Sequence, residues 1–218
     1  MDFMDISKMR ITVRQYDPRP VEKEKIDMIL ESGRWAPTAM DFQPQRILVL
    51  HTPEQLAKVQ EICTFGFDQK YRDLDESAGR LGDDKHNVYY YGAPLVFLVC
   101  YDKNVCGRHL ESGETFGDID ATIVQTHMML EAASLGLGTV WISYFDKEKA
   151  RNLFEIPDNF DICSLLYVGY PAADFRPNAK MTGNRFPVSH TCFDGSYREP
   201  WKSDFKDSFK DPRLANAK

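Results

Sequence analysis

Three consecutive segments near the N-terminus are the most informative about the fold of this chain: RITVRQYDPRP (residues 10–20), VEKEKIDMILESGRW (21–35) and APTAMDFQPQ (36–45). In an extended segment, side chains two positions apart share a face, so Arg10, Thr12 and Arg14 are predicted to point the same way. Two guanidinium groups and a hydroxyl on one face make a receptor for a phosphate monoester or similar anion, because guanidinium forms bidentate, charge-assisted hydrogen bonds. A solvated strand edge is the alternative interpretation.

The second and third segments read as a helix followed by a loop. Val21, Ile26, Ile29 and Gly33 fall on one side of residues 21–35, with charged residues on the other, which is a helical period. The third segment combines two prolines, a hydroxyl and two glutamines, a composition typical of a loop. A plain turn after a helix is the alternative here.

Further along the chain, apolar runs and capping residues predict alternating strands and helices. Strands are predicted at 46–50, 93–101, 138–143 and 163–170, and helices at 53–62, 117–135 and 146–154. Because helices and strands are interleaved, a mixed sheet packed with helices is expected. Residues 64–92 show no clean period, and we interpret them as a helix or two with loops that cover one mouth of a pocket.

Length, charge and cysteine content exclude several classes of protein. At 218 residues the chain makes one domain, or one domain with an appendage. A net charge of −6 argues against nonspecific binding to nucleic acid or acidic membranes. With no apolar run near the ~18 residues of a membrane span, and no leader pattern, we expect a cytoplasmic protein. Five scattered cysteines without a CxxC pair favour neither a zinc site nor a disulfide scaffold, and no metal is expected.

The remaining polar candidates have ordinary explanations. Asp118 and Asp120 are first-turn carboxylates that suit the dipole of the helix at 117–135, and they are not a catalytic pair. His127 lies beside apolar residues and is interpreted as a core histidine. The sequence contains no Walker loop, GxGxxG or GxSxG motif, so a Rossmann-type nucleotide site is not indicated.

The first 45 residues resemble the nitroreductase family of FMN-dependent oxidoreductases. That family opens roughly with Arg-Arg-Ser-x-Arg-x-[Phe/Tyr] and continues, after a helix, with Pro-Ser-x-x-Asn-x-Gln-Pro-Trp. The positions that match these two motifs are Arg10, Thr12, Arg14 and Tyr16, then Pro37, Thr38, Gln43 and Pro44. Residues 117–172 are similar to the family's long central helix, its Gly-Leu-Gly turn and the strands that follow, so the resemblance covers roughly residues 8–190.

The resemblance implies an α+β fold, a three-layer α/β/α sandwich with a mixed, mostly antiparallel sheet. Members of the family form homodimers with two FMN sites at the interface, each built from both subunits. Residues 1–190 would then form the FMN-binding domain. The aromatic-rich extension 191–218 would pack on the partner subunit.

The resemblance also implies where FMN would lie. Arg10, Ile11, Thr12 and Arg14 would line its phosphate, ribityl and pyrimidine side, with Arg14 nearest the ring, where a cation tunes the flavin potential. The loop of Pro37, Thr38, Ala39, Met40, Asp41 and Gln43 would cover the flavin of the neighbouring subunit. Trp141, Ile142 and Ser143 would present backbone to the ring edge, and Arg185 would be a second phosphate-binding cation.

The function implied is an FMN-dependent reductase that passes hydride from NAD(P)H to a nitroaromatic, a quinone or a similar small acceptor. No side chain looks like an essential acid or base, because the flavin carries the hydride chemistry. An FMN-storage module, or a relative that fragments flavin or dehalogenates a substrate, is the alternative. Three positions depart from the family motifs: Ile11 stands where Arg or His is common, Asp41 where Asn is usual and Gln45 where Trp is usual.

Overall fold

The computed structural model describes residues 2–63, 91–176 and 185–203 of the chain. These residues belong to two compact units, the first ending at Phe175 and the second beginning at Arg176. The pocket-covering segment predicted at 64–92 lies outside the described residues except for Tyr91 and Gly92. The division predicted at residue 190 and the packing of 191–218 on a partner subunit stay predictions.

The first unit contains helices and strands in the alternation that the sequence predicts. Its described helices are α1 (Phe3–Met9), α2 (Lys23–Arg34), α3 (Pro53–Cys63), α4 (Gly117–Ser134) and α5 (Lys147–Leu153). Its described strands are β1 (Gln45–Leu50), β2 (Leu95–Asp102), β3 (Gly138–Ile142) and β4 (Phe160–Gly169).

The four strands form one sheet in the order β1-β2-β4-β3, and each neighbouring pair is antiparallel. Tyr167 of β4 lies at the centre, because it pairs with Val96 of β2 on one side and with Val140 of β3 on the other. A parallel bridge between Thr12 and Thr139 adds the N-terminal segment beside β3. The predicted mixed, mostly antiparallel sheet is therefore confirmed.

Helices cover both faces of the sheet. The side chains of β2 point alternately to these two faces and pack on different helices. Leu95, Phe97 and Val99 pack on the face that α2 and α4 cover, together with Ile29 and Met128. The intervening residues Val96, Leu98 and Cys100 pack on the opposite face with side chains of α3 and α5. Successive side chains of a strand point to opposite faces, so a strand that is apolar throughout needs cover on both sides. This confirms the predicted three-layer α/β/α arrangement.

Local capping signals place several element ends where the sequence predicts them. The Gln55 amide donates to Thr52 Oγ1 at 3.3 Å and the Thr52 amide donates to Gln55 Oε1 at 3.0 Å, which is a capping box at the start of α3. Asp146 caps α5 by accepting from the Lys149 amide at 2.8 Å. Gly136 follows α4 with φ +77°, a conformation that glycine adopts at little cost.

Two differences from the predicted elements have physical reasons. Helix α1 was not predicted, because its seven residues, with Phe3, Ile6 and Met9 at three-residue spacing, are too few to establish a helical period. Strand β4 begins at Phe160, three residues before the predicted start, because Asp161 interrupts the apolar run although it pairs with Tyr101.

The second unit is described at residues 185–203. It contains a short helix, α6 (Val188–Thr191), and a turn closed by a bridge between Phe193 and Pro200. The Phe193 and Tyr197 rings meet edge to face at 5.2 Å between centroids. Two further aromatic residues of the C-terminal extension, Phe205 and Phe209, lie outside the described residues.

The described residues contain neither a membrane-spanning helix nor a metal-binding cluster. No helix of 2–63, 91–176 or 185–203 is long and apolar enough to cross a membrane. In the same ranges, no group of three or more His, Cys, Asp or Glu side chains is placed to hold a metal ion.

Candidate functional site

The segment that carries the two arginines is extended and fixed to the sheet. Arg10 ends α1, and from there the chain runs beside β3, where the Val13 amide donates to the Thr139 carbonyl at 3.0 Å. Val13 is fully buried, Thr12 is partly buried and Arg14 is exposed. Because neighbours alternate along an extended segment, burial of Val13 turns Thr12 and Arg14 to the other side of the segment. Arg10 is partly buried at the end of the same segment.

Two paired glycines let this segment lie directly on the sheet. Gly138 of β3 and Gly169 of β4 are register partners. A Cβ atom on Gly138 would lie 2.3 Å from Val13 Cγ2, and a Cβ atom on Gly169 would lie 3.0 Å from Tyr16 Cδ1. The segment 12–16 therefore crosses the sheet where two side chains are missing, and the approach is too close for any other residue at Gly138.

Two tyrosines contact the arginine segment: Tyr91 lies against the Arg14 guanidinium, and Tyr16 hydrogen bonds to Val13. The Arg14 guanidinium lies over the Tyr91 ring, 5.8 Å from its centroid. Burial raises the pKa of Tyr91, and Arg14 opposes that shift. The Tyr16 hydroxyl donates to the Val13 carbonyl at 2.8 Å, and burial raises the pKa of Tyr16 well above its usual value. Both phenols thus remain neutral near neutral pH.

The loop at 37–43 has an unusual backbone. Met40 (φ 49°), Asp41 (φ 57°) and Gln43 (φ 49°) are non-glycine residues in the left-handed region. Each such residue costs on the order of 1 kcal/mol or more, so its surroundings must enforce the conformation. The Gln43 amide donates to Thr38 Oγ1 at 3.1 Å, and the Gln43 side-chain amide donates to Asp41 Oδ1 at 3.0 Å.

Helix α4 and the β2–α4 connection support this loop from below. The Ala39 amide donates to Asp120 Oδ1 at 2.8 Å. A Cβ atom on Gly107 would lie 3.1 Å from Ala39 Cβ and 3.0 Å from the Phe116 ring, so the connection approaches the loop closely. The sequence predicts Asp120 only as a first-turn carboxylate, whereas the structure buries it to 2% exposure under the loop. The prediction that Asp120 is a first-turn carboxylate is confirmed, and its burial under the loop is a finding of the structure alone.

Asp41 itself is exposed and holds Gln43, as described above. If the loop covers an anionic cofactor, as the resemblance implies, the Asp41 carboxylate repels it. We expect Asp41→Asn to lower the dissociation constant for FMN up to about fivefold at low salt, the scale of an exposed charge interaction. Flavin fluorescence titration measures this. Asp27→Asn, which removes an exposed carboxylate paired with Lys23 on α2, is the matched control and is expected to leave the constant unchanged.

Trp141, Ile142 and Ser143 lie at the end of β3 and directly after it. Ile142 is buried in the core on the α3/α5 face, whereas Trp141 is partly buried and donates from Nε1 to Ser143 Oγ at 3.1 Å. Since the Arg10–Arg14 segment bridges β3 at Thr139, one strand links both predicted contact sets. The contacts of the 37–43 loop run instead to α4, to Gly107 and, through the bond from Arg46 Nη1 to the Gln43 carbonyl at 3.2 Å, to β1.

Arg185 lies in the second unit and its side chain is exposed. Its role as a second phosphate-binding cation stays a prediction.

Sequence reasoning missed four residues that shape this site. They are Tyr91, Asp120, Gly138 and Gly169. The glycines carried a signal, since each stands inside or at the end of an apolar strand, where glycine often marks a close approach of backbone. Tyr91 and Asp120 carried none, because their partners, Arg14 and Ala39, lie 77 and 81 residues away along the chain.

Comparison with known proteins agrees with this geometry. The model of the nitroreductase family matches residues 8–170. A protein of Methanothermobacter thermautotrophicus, named "Putative NADH dehydrogenase/NAD(P)H nitroreductase", is 31% identical over 176 residues, which are 79% of this chain and 78% of that protein. A protein of Bacillus subtilis named "FMN reductase [NAD(P)H]" is 26% identical over 176 residues, 74% of this chain and 62% of that protein.

A solved structure is similar as well. The crystal structure of a nitroreductase family protein from Clostridium difficile 630 superposes with a TM-score of 0.72 at 33% identity, covering 88% of this chain and 97% of that chain. The arginine segment, the three-layer sandwich and the match over residues 8–170 together show that this chain belongs to the nitroreductase family.

Proposed function

We propose that this protein is an FMN-dependent oxidoreductase that takes hydride from NAD(P)H and passes it to a nitroaromatic, a quinone or a similar small acceptor. The observation that carries the proposal is the extended Arg10–Arg14 segment, which is fixed on β3 over Gly138 and turns Thr12 and Arg14 away from the core. Membership of the nitroreductase family supports the class of reaction, and the names of two relatives include NAD(P)H, one of them with FMN.

The donor set fits a flavin mononucleotide. One guanidinium group and a hydroxyl provide charge-assisted hydrogen bonds to a phosphate, a second guanidinium group provides a positive charge near the ring, and the exposed loop and strand end provide backbone groups for that planar ring. When bound, FMN supplies the transfer of hydride between nicotinamide and acceptor. In this proposal Arg10 and Thr12 hold the phosphate side, and Arg14, oriented by Tyr91, stands nearer the ring.

The other predicted contacts complete the proposed site. The loop of Pro37–Asp41 with Gln43 covers the ring and Trp141–Ser143 present backbone to its edge, while Arg185 stays the second phosphate-binding cation that the resemblance implies. None of these side chains has to act as an essential acid or base, because the protein's part is to bind, orient and shield the cofactor. The last proton can come from water.

A homodimer is part of the proposal. Several large apolar side chains of the first unit are exposed on α1, α2, the 37–43 loop and α4, where a second copy would cover them. They are Phe3 (69% exposed), Met28 (48%), Trp35 (72%), Met40 (74%), Phe42 (44%) and Ile119 (58%). The C-terminal extension 191–218 would add contacts to the partner, and a cytoplasmic location remains a prediction from the sequence.

One spectroscopic experiment tests the cofactor and the reaction together. The purified protein should show flavin absorbance that bleaches under anaerobic NADH or NADPH and returns when a quinone or nitroaromatic is added. Light scattering on the same sample should give about twice the chain mass of 25.1 kDa. Flavin that stays oxidised with both nucleotides would favour the storage module. Bleached flavin that reoxidises only with a halogenated phenol would favour the dehalogenating alternative, and a protein that takes up no FMN would contradict the whole proposal.

A further inference from the structure

The 37–43 loop needs a support outside itself. Three of its residues have positive φ without being glycine, and the loop's own bonds, from Gln43 to Thr38 and Asp41, join only residues of the loop. Such bonds hold the loop's shape but do not fix its place on the protein. Two bonds do so: Arg46 Nη1 of β1 donates to the Gln43 carbonyl at 3.2 Å, and the Ala39 amide donates to Asp120, which joins the start of the 3₁₀ turn Ala39–Asp41 to helix α4.

Asp120 is buried more deeply than a first-turn carboxylate needs to be. Asp118, on the same turn of α4, is exposed and still suits the helix dipole, while it accepts from Cys163 Sγ at 3.3 Å. Asp120 is 2% exposed, and its second oxygen, Oδ2, is buried with no hydrogen-bond partner among the described residues. A carboxylate is costly to bury with an oxygen unpaired, so helix stability does not account for this placement.

The burial has an explanation in the loop. A neutral side chain without an acceptor at position 120 would leave the Ala39 amide unpaired beneath the loop, where the connection at Gly107 also packs closely on Ala39. An ionised carboxylate is the stronger acceptor for such an amide.

We propose that Asp120 is a positioning residue, which fixes the 37–43 loop through the Ala39 amide and thereby sets the loop for the flavin. The part that concerns the flavin rests on the proposed function. Asp120 acts through the backbone of the loop and does not itself contact the cofactor.

Amide hydrogen exchange of the full-length protein, without and with FMN, tests this inference. In Asp120→Ala, exchange at residues 39–43 should become at least tenfold faster while exchange at β2 stays as in the wild type, and the dissociation constant for FMN should rise at least fivefold. Asp120→Asn keeps an acceptor oxygen and should restore both values to within about threefold of the wild type. Asp118→Ala removes the same charge from the same helix turn and should change neither.

A second variant acts from the loop side in case Asp120→Ala does not fold. Ala39→Pro removes the donor N–H, and Thr38 already has the extended conformation that a residue before proline requires (φ −132°, ψ 159°). It should speed exchange at residues 40–43 as Asp120→Ala does.

Three results would overturn the inference. They are exchange within twofold of the wild type in both disrupting variants, an equal effect of Asp118→Ala, and faster exchange with an unchanged FMN constant. A wild-type protein that takes up no FMN would instead overturn the proposed function, and exchange in the flavin-free protein would still decide whether Asp120 fixes the loop.

Discussion

Replacing Arg10 with alanine is expected to raise the dissociation constant for FMN by about 10- to 150-fold, and replacing Arg14 should have an effect of similar size. A hydrogen bond to a charged group contributes roughly 1.5–3 kcal/mol net, which corresponds to this range. Both side chains stand on a segment that β3 holds rigidly, so neither can be replaced by a neighbour that swings in. Fluorescence titration of flavin-free protein measures the change.

Substitution by lysine should change the affinity for FMN differently at Arg10 and at Arg14. Arg10→Lys loses the bidentate fork that suits a phosphate, so it should behave nearly like Arg10→Ala. Arg14→Lys keeps a positive charge near the ring and should retain more of the affinity. Arg19→Ala is the charge-matched control, because Arg19 is exposed and stacks over the Tyr170 ring at 3.3 Å. Equal loss of affinity in all three alanine variants would show only a general effect of charge and would contradict the site.

Gly138→Ala is expected to lower both stability and flavin affinity. The added Cβ atom would lie 2.3 Å from Val13 Cγ2 and 2.7 Å from Val13 Cβ, and a β-branched side chain buried at 0% exposure cannot turn away. Overpacking of this kind costs about 1–3 kcal/mol, which lowers Tm by roughly 2–12 °C in a chain of this size. The strain also pushes the Arg10–Arg14 segment off the sheet, so FMN should bind about tenfold more weakly.

A compensating substitution makes this prediction specific. Val13→Ala removes the two methyl carbons at 2.3 and 3.0 Å, so Gly138→Ala combined with Val13→Ala should recover part of the flavin affinity lost in Gly138→Ala alone. Val13→Ala by itself loses buried methyl groups and should mainly lower Tm. Calorimetry and flavin titration of the four proteins separate these effects. Additive losses in the double variant would mean that the close approach of Val13 to Gly138 does not position the arginines.

Local patterns in the sequence were enough for most of the fold. Strand β2 is apolar at each position from Leu95 to Val99, which indicates cover on both faces, and the helical period of 21–35 placed α2 to within two residues. Helix ends followed from caps such as Thr52 and Asp146, whose partners lie three residues away. Helix α1 was not predicted because its seven residues are fewer than the stretch over which a helical period can be recognised.

The sequence by itself determined the family, the three-layer sandwich and the positions of the arginines, because motif spacing and hydrophobic period are properties of neighbouring residues. The tertiary structure alone decided what holds those residues in place. Gly138 and Gly169 allow the close approach of Val13 and Tyr16 only when β3 pairs with β4. Asp120 accepts from the Ala39 amide only when α4 packs beneath the loop. Such contacts join residues far apart in the chain, and no local pattern encodes which distant partner will fill the space beside a glycine or meet a buried carboxylate.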